Sequence, residues 1–461
     1  MSAFTRDELL RALAPRRARA VGSLVDVRGV STDSRAIAAG SLFVALSGDR
    51  FDGHAFVEAA AARGAAAALV SREVPSAIPL VVVDDTLTAL QDLATFHLAR
   101  VPARRLALTG SNGKTSTKEL ARAALAGGLG DDRVSATRGN LNNHIGVPLT
   151  AFDVDVRHAA VVFEMGMNHL GEIARLAEIV HPSVGLVTNI GSAHAANVGG
   201  IEGVARAKGE LFDALGDAGT AIVNVDDARC VAAARGHTGP RLTFALDAPA
   251  DVRARVVGAS QEGLALEIAH AGVTREGRIP LVGRHHARNA AGAVAMALAA
   301  GVSLDDAVRG LARAKESGGR LVWKTRGDGA VVLDDTYNAN PDSLRAALTT
   351  LRELAEERRT VACIGDMLEL DEPERSHDEI GRFVASLGLD RLFTAGPLAR
   401  RVHDAAVAHG MAASACVHAA DSAALGVVAR GVVGERDIVL VKGSRGARME
   451  RVVTALLEGG A

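Results

Sequence analysis

Aromatic residues are scarce in this chain of 461 residues, which has one Trp, one Tyr and 11 Phe. That scarcity disfavours a surface built to stack nucleobases. Neither sign of charge is in excess. Lys plus Arg is 52 and Asp plus Glu is 54, a net charge of −2, which argues against a protein built around nucleic acid. Cys230, Cys363 and Cys416 are the only cysteines; they are too widely spaced for a metal pattern and read as small buried residues. No run is apolar and long enough to span a membrane. The opening "MSAFTRDELLRALA" is amphipathic and has no signal-peptide core, so the cytoplasm is the expected compartment. Repeats and low-complexity runs are absent.

What is present is length and alternation. The chain is too long for one ordinary core, so two or three domains are expected. Short β-rich runs alternate with helical patterns, which predicts α/β architecture with largely parallel sheets. A first unit, residues 1–84, ends in the strand "LVVVDD". A helix, "TLTALQDLATFHLA", opens a second unit, residues 85–317, with strands at "RLALTG", "AAVVFEMG", "VGLVTNIG" and "TAIVNVDD". The Ser- and Gly-containing "ESGGR" reads as a hinge. Residues 318–461 then repeat the alternation in a doubly wound, Rossmann-like pattern.

The stretch "LALTGSNGKTSTKEL" has strand, glycine loop and helix in the order of a phosphate loop. It departs from the usual pattern at one place, where Leu108 stands instead of glycine. Gly110 and Gly113 let the backbone N–H groups of the loop, including those of Ser111, Asn112 and Ser116, approach phosphate oxygens. The helix start adds its positive end. Lys114 can neutralise the β- and γ-phosphates, and the Thr115 hydroxyl can ligate Mg²⁺. Glu164 and His194 should emerge at the C-terminal ends of two strands beside this loop, where ligands of open α/β sheets collect. They are candidate metal ligands, although Mg²⁺ prefers oxygen to His. Lys208, in "ARAKGELFDAL", reads by itself as a solvated lysine. Asn289, in "GRHHARNAAG", is placed either to bond an adenine edge or to cap a helix. Asp334 and Asp335 end a strand, and Asn338 to Pro341 open a helix. Lys442, Ser444 and Arg445 form a basic strand-to-helix loop suited to a phosphate or carboxylate.

Together these motifs resemble the Mur ligase family of ATP-dependent amide synthetases. The altered loop "TGSNGKTS" is the family's own form. The resemblance extends over nearly the whole chain, through "STDSR", "GSLFVALSGDRFDGHAFV", "GNLNNHIGVP", "AKGEL", "GRHHARNA", "DDTYNANP" and "KGSR". Within the family, "DDTYNANPDSL" and "GDMLELDEPERSHDEIG" are similar to the member that adds D-alanyl-D-alanine to UDP-N-acetylmuramoyl-tripeptide. His286 departs from the family's more usual Asn, and Thr336 from its Ser. The resemblance implies a UDP-substrate domain, a central ATPase domain and a closing Rossmann-like domain, with ATP and Mg²⁺ required. Lys114 would hold ATP; Thr115, Glu164, His194 and a carbamylated Lys208 would serve the metal sites. Asn289 would contact adenine, Asp335 ribose and Arg320 the γ-phosphate. Ser31, Ser34 and Arg35 would hold the UDP-sugar, while Asn338, Lys442, Ser444 and Arg445 would lie near the dipeptide or the phosphates. A monomer is expected. The rival readings are another amide ligase of the superfamily, or a nucleotide switch, for which the N-K-x-D guanine motif is missing.

Overall fold

The computed structural model describes residues 3–48, 51–193, 195–316 and 318–458. Within them the chain forms three sheet-centred units. In the first, the strands Val30–Ser31, Leu42–Val44, Ala67–Val70 and Leu80–Val82 run parallel, and Arg19–Val21 closes one edge antiparallel. Leu42–Val44 and Ala67–Val70 are buried throughout, as strands covered on both faces must be. One face packs on Val57 and Ala60. The other belongs to a core shared with the next unit. Helix Thr86–Ala99 starts at Asp85, whose carboxylate accepts the Thr88 N–H at 2.6 Å. Its Leu90, Leu93 and Leu98 join Leu42, Val44 and Leu69 on one side and Val147, Ala151 and Phe163 on the other. In the same core His97 lies 6.0 Å from the Phe4 ring and donates Nε2–H to the Val154 carbonyl at 2.7 Å.

The central sheet has nine strands in the order Val134–Ala136, Ala160–Glu164, Arg104–Thr109, Val184–Val187, Thr220–Asn224, Arg241–Ala245, Val252–Ser260, Gly263–His270 and Val273–Ile279. The first seven are parallel, and the last two each run antiparallel to the strand before. The four strands expected from the sequence are present, and five more join them. Helices Lys114–Leu129, His285–Ala299 and Leu304–Leu311 share one core against this sheet.

The third sheet runs Val322–Thr325, Val331–Asp335, Asp437–Lys442, Arg359–Gly365, Arg391–Ala395 and Cys416–Ala419, parallel except for its first strand. An apolar cluster covers each face. The last strand in sequence inserts beside the second, so the loops after Asp335, Gly365 and Lys442 meet at one edge. Trp323, the only tryptophan, lines a cavity of about 530 Å³ between the second and third units, with Val256 and Leu264 on one wall and Thr350 and Leu354 on the other. Among the described residues no helix is long and apolar enough to cross a membrane.

Candidate active site

The strand Arg104–Thr109 delivers a four-residue loop to the start of helix Lys114–Leu129. Leu108 is wholly buried, its backbone paired with Glu164 on one side and Leu186 on the other. It is therefore part of the sheet, and the loop proper begins at Gly110. A side chain at Gly110 would lie 1.8 Å from the Thr188 hydroxyl, which is too close for any Cβ. Gly113 takes φ 79°, the left-handed conformation glycine adopts without strain.

The neighbouring strand end fixes the loop. Asn189 accepts the Ser111 N–H on its carbonyl at 2.9 Å and the Asn112 N–H on its side chain at 3.0 Å. The Asn112 carbonyl in turn accepts from Thr188 Oγ1 at 2.6 Å and Asn189 Nδ2 at 2.9 Å. Sequence reasoning missed Asn189. Its signal was position, directly after a buried strand beside the loop. The Lys114 ammonium curls back to donate to the Gly110 carbonyl at 2.7 Å. Burial lowers its pKa below the ordinary lysine value; Glu164 opposes the shift and Arg320 reinforces it.

Glu164 ends its strand fully buried. Its N–H donates to Thr137 Oγ1 at 3.0 Å, and Oε1 accepts from Asn142 Nδ2 at 2.8 Å. Oε2 is buried with no hydrogen-bond partner among the described residues. Asn142 belongs to "GNLNNHIGVP", a motif seen in the sequence without a role. His194 lies outside the described residues. Lys208 is 1 % exposed, so the solvated-lysine reading is corrected. Burial and the nearby Lys114 charge push its pKa well down, opposed by Cys230. Glu210, two residues on, turns away and caps helix Glu172–Val180 through the Gly171 and Ala174 N–H groups.

Asn289 sits inside helix His285–Ala299, whose N-cap is Arg284, so the capping alternative is also corrected. A Cβ at Gly113 would lie 3.0 Å from the Asn289 amide. Asn289 is thus packed against the phosphate loop. His286 lies one turn before Asn289 on this helix, its ring tilted 4.1 Å from that of His285, and burial with Arg320 nearby pushes its pKa down to about 4.

The third unit supplies the opposite wall. Arg320 rests its guanidinium over the Tyr337 ring at 4.2 Å. Asp335 accepts from Lys442 Nζ at 2.7 Å, and Lys442 also donates to the Asn338 carbonyl at 2.9 Å. Ser444 is buried among backbone groups, while Arg445 is exposed. Asn340 caps helix Pro341–Glu353 and reaches across to donate to Asn112 Oδ1 at 2.7 Å. The cleft between these walls measures about 1490 Å³. Lys114, Thr115, Glu164, Asn289, Arg320, Asp335, Asn338, Lys442 and Arg445 line it; Lys208, Ser444 and the serines of the first unit do not. Ser31 bonds within its own turn to Asp33, Ser34 is buried, and Arg35 pairs with Asp33 at 2.9 Å.

A phosphate loop, a buried carboxylate beside it and a third domain carrying an arginine over the cleft define a nucleotide-dependent enzyme that works between domains. The family comparison agrees with this class. The Mur ligase middle domain matches residues 108–297, the Mur ligase glutamate ligase domain residues 319–445, and the Mur ligase family catalytic domain residues 26–97. The chain belongs to the Mur ligase family and is an ATP-dependent peptide ligase. It is 38% identical over 445 residues to the UDP-N-acetylmuramoyl-tripeptide–D-alanyl-D-alanine ligase of Escherichia coli K12, covering 95% of this chain and 96% of that one. The crystal structure of MurF from Acinetobacter baumannii superposes with a TM-score of 0.88 at 32% identity, covering 99% of both chains. MurF ligase from Thermotoga maritima, solved in complex with ADP, superposes with a TM-score of 0.81 at 25% identity, covering 94% of this chain and 98% of that one.

Proposed function

We propose that this chain joins D-alanyl-D-alanine to UDP-N-acetylmuramoyl-tripeptide, giving the pentapeptide precursor of peptidoglycan, ADP and phosphate. The observation that carries this reading is full-length similarity to ligases of that name, combined with a phosphate loop closed over by the third unit. The three units, 1–84, 85–317 and 318–461, would bind the UDP-substrate, bind ATP and close over both. A nucleotide-linked substrate would be met in the cytoplasm, and a monomer would suffice for the reaction.

A carboxylate does not condense with an amine in water without activation. The tripeptide carboxylate would attack the γ-phosphorus, and the bond to the bridging oxygen of ADP would break. The dipeptide amine would then attack the acyl phosphate, lose its proton and expel phosphate. Lys114, the loop N–H groups and Arg320 would stabilise the transferring charge. Asn289 would meet adenine and Asp335 ribose. Closure would keep water from the acyl phosphate. Ser31, Ser34 and Arg35 would hold the UDP-sugar, with Asn338, Lys442 and Arg445 on the dipeptide side.

Mg²⁺ fits the residues present. The orphaned Glu164 Oε2 is a buried oxygen beside the phosphate loop, and Thr115 stands at the same loop. When bound, the ion would offset phosphate charge. Among the described residues no group of three or more His, Cys, Asp or Glu converges, so further oxygens would have to come from elsewhere. A carbamate on Lys208 is one source, and His194 would complete the set. The test is to supply ATP, Mg²⁺, UDP-N-acetylmuramoyl-tripeptide and a panel of amines, and identify the product by mass. The dipeptide adduct is expected. An adduct of diaminopimelate or glutamate, with none of the dipeptide, would overturn the reading.

A further inference from the structure

The motif "DDTYNANP" contains a residue that the chemistry described so far leaves without a task. Asn340 stands at the N-cap of helix Pro341–Glu353 in the third unit and is buried. Its side chain has a partner on each side. Oδ1 accepts the Ser343 N–H at 2.9 Å, and Nδ2 donates to Asn112 Oδ1 at 2.7 Å. A backbone N–H can only donate, so the helix fixes which end of the amide is oxygen and turns the amino group to the phosphate loop. The bond joins residues 228 apart, in different units.

Asn112 is itself held. Its N–H and carbonyl are tied to Asn189 and Thr188, so its side-chain oxygen is offered from a braced loop. A second contact lies beside the first. Asp342 Oδ2 accepts the Ser192 N–H at 3.4 Å, and a Cβ at Gly191 would lie 2.3 Å from that same oxygen. The Gly191 N–H in turn donates to Ser111 Oγ at 2.8 Å. The first turn of one helix therefore meets the phosphate loop directly through Asn340, and again through the segment that braces it. Lys114 and Thr115 line the cleft from the second unit, Arg320 and Asp335 from the third. A nucleotide that touches both walls binds best while they stand together, so a bond that keeps them together raises its affinity.

We propose that Asn340 is a positioning residue for the nucleotide: its bond to Asn112 holds the two walls of the cleft in register and so sets how tightly the phosphate loop keeps its ligand. The inference rests on nucleotide binding at that loop and not on which amine is joined. Its test uses Asn340→Ser, Asn112→Ala and the double variant. Serine caps a helix as well as asparagine does, but its shorter side chain gives up the reach to Asn112. Asn112→Ala removes the other end of the bridge, keeps the loop's backbone bonds and leaves the helix untouched, so it decides the matter if the serine variant folds poorly. The Kd of ADP is measured by calorimetry for each. Each single variant should raise it about fivefold, while affinity for UDP-tripeptide without nucleotide stays within about twofold. The double variant should bind ADP no more weakly than the Asn112 variant alone, because one bond can be lost only once. A residue that served only as a cap would leave the serine variant with the parent's affinity. That result, or losses that multiply in the double variant, would overturn the inference.

Discussion

A buried lysine amine must stay neutral, find a counter-charge or be modified. For Lys208, burial and the nearby Lys114 charge lower the pKa and so favour the first of these. Only a neutral amine can attack the carbon of carbon dioxide and then lose a proton, so the environment suits the proposed carbamate. Lys208→Ala should lose most ligase activity, and short carboxylic acids in the buffer should restore part of it by filling the vacated oxygen site. Lys208→Arg should stay inactive under the same treatment; steady-state ADP release reads both, and a fully active arginine variant would rule the carbamate out. The sequence held more of this than its chemistry suggested. Val204, Ala207, Leu211 and Phe212 form the buried stripe of helix Gly200–Asp213, and Lys208 falls on that stripe. Its spacing, rather than its charge, was the readable signal. Asn112 and Asn189 were less legible, because their bonds join residues 77 apart.

At the scale of elements, helix Thr86–Ala99 ties the first unit to the second, and His97 is one of its buried polar contacts. Burial lowers the His97 pKa from 6.5 despite the bond to Val154. The sign follows directly. As pH falls below 6.5 the unfolded chain takes up the proton first, so this stabilisation is complete above 6.5 and is lost as pH falls through the folded value. Unfolding free energies from urea titrations should therefore drop on acidification by no more than about 1.4 kcal/mol per pH unit from this group. His97→Gln should flatten that dependence. Of the strands, those with continuous apolar runs were legible, and so was the loop before helix Lys114–Leu129. The Val252–Ile279 strands were not found from composition because charged residues interrupt them. Buried Val252 and Ala254 alternate with exposed Arg253 and Arg255, so a period of two was there to be counted.

For the whole molecule, the decisive arrangement is the third unit poised over the phosphate loop. Arg320 stands at the proposed hinge, held on Tyr337 and lining the cleft. Arg320→Ala should lower kcat by on the order of 10²-fold or more while leaving UDP-substrate affinity nearly unchanged. Isothermal titration beside single-turnover kinetics separates the two. Lost UDP-substrate binding with unchanged kcat would contradict the placement. The order of domains could be read from the sequence, but the separation of Ser31, Ser34 and Arg35 from the cleft could not, since it depends on how whole units pack.

The position of Trp323 gives this molecule an optical property. The chain has a single indole, and it lies on the first strand after the proposed hinge, against the cavity between the second and third units. Any swing of the third unit changes the polarity around that one ring. Emission excited at the red edge of the protein spectrum therefore reports a single place, without an attached dye or an engineered label. Rapid mixing with nucleotide would record the hinge in time, separately from the chemistry it encloses.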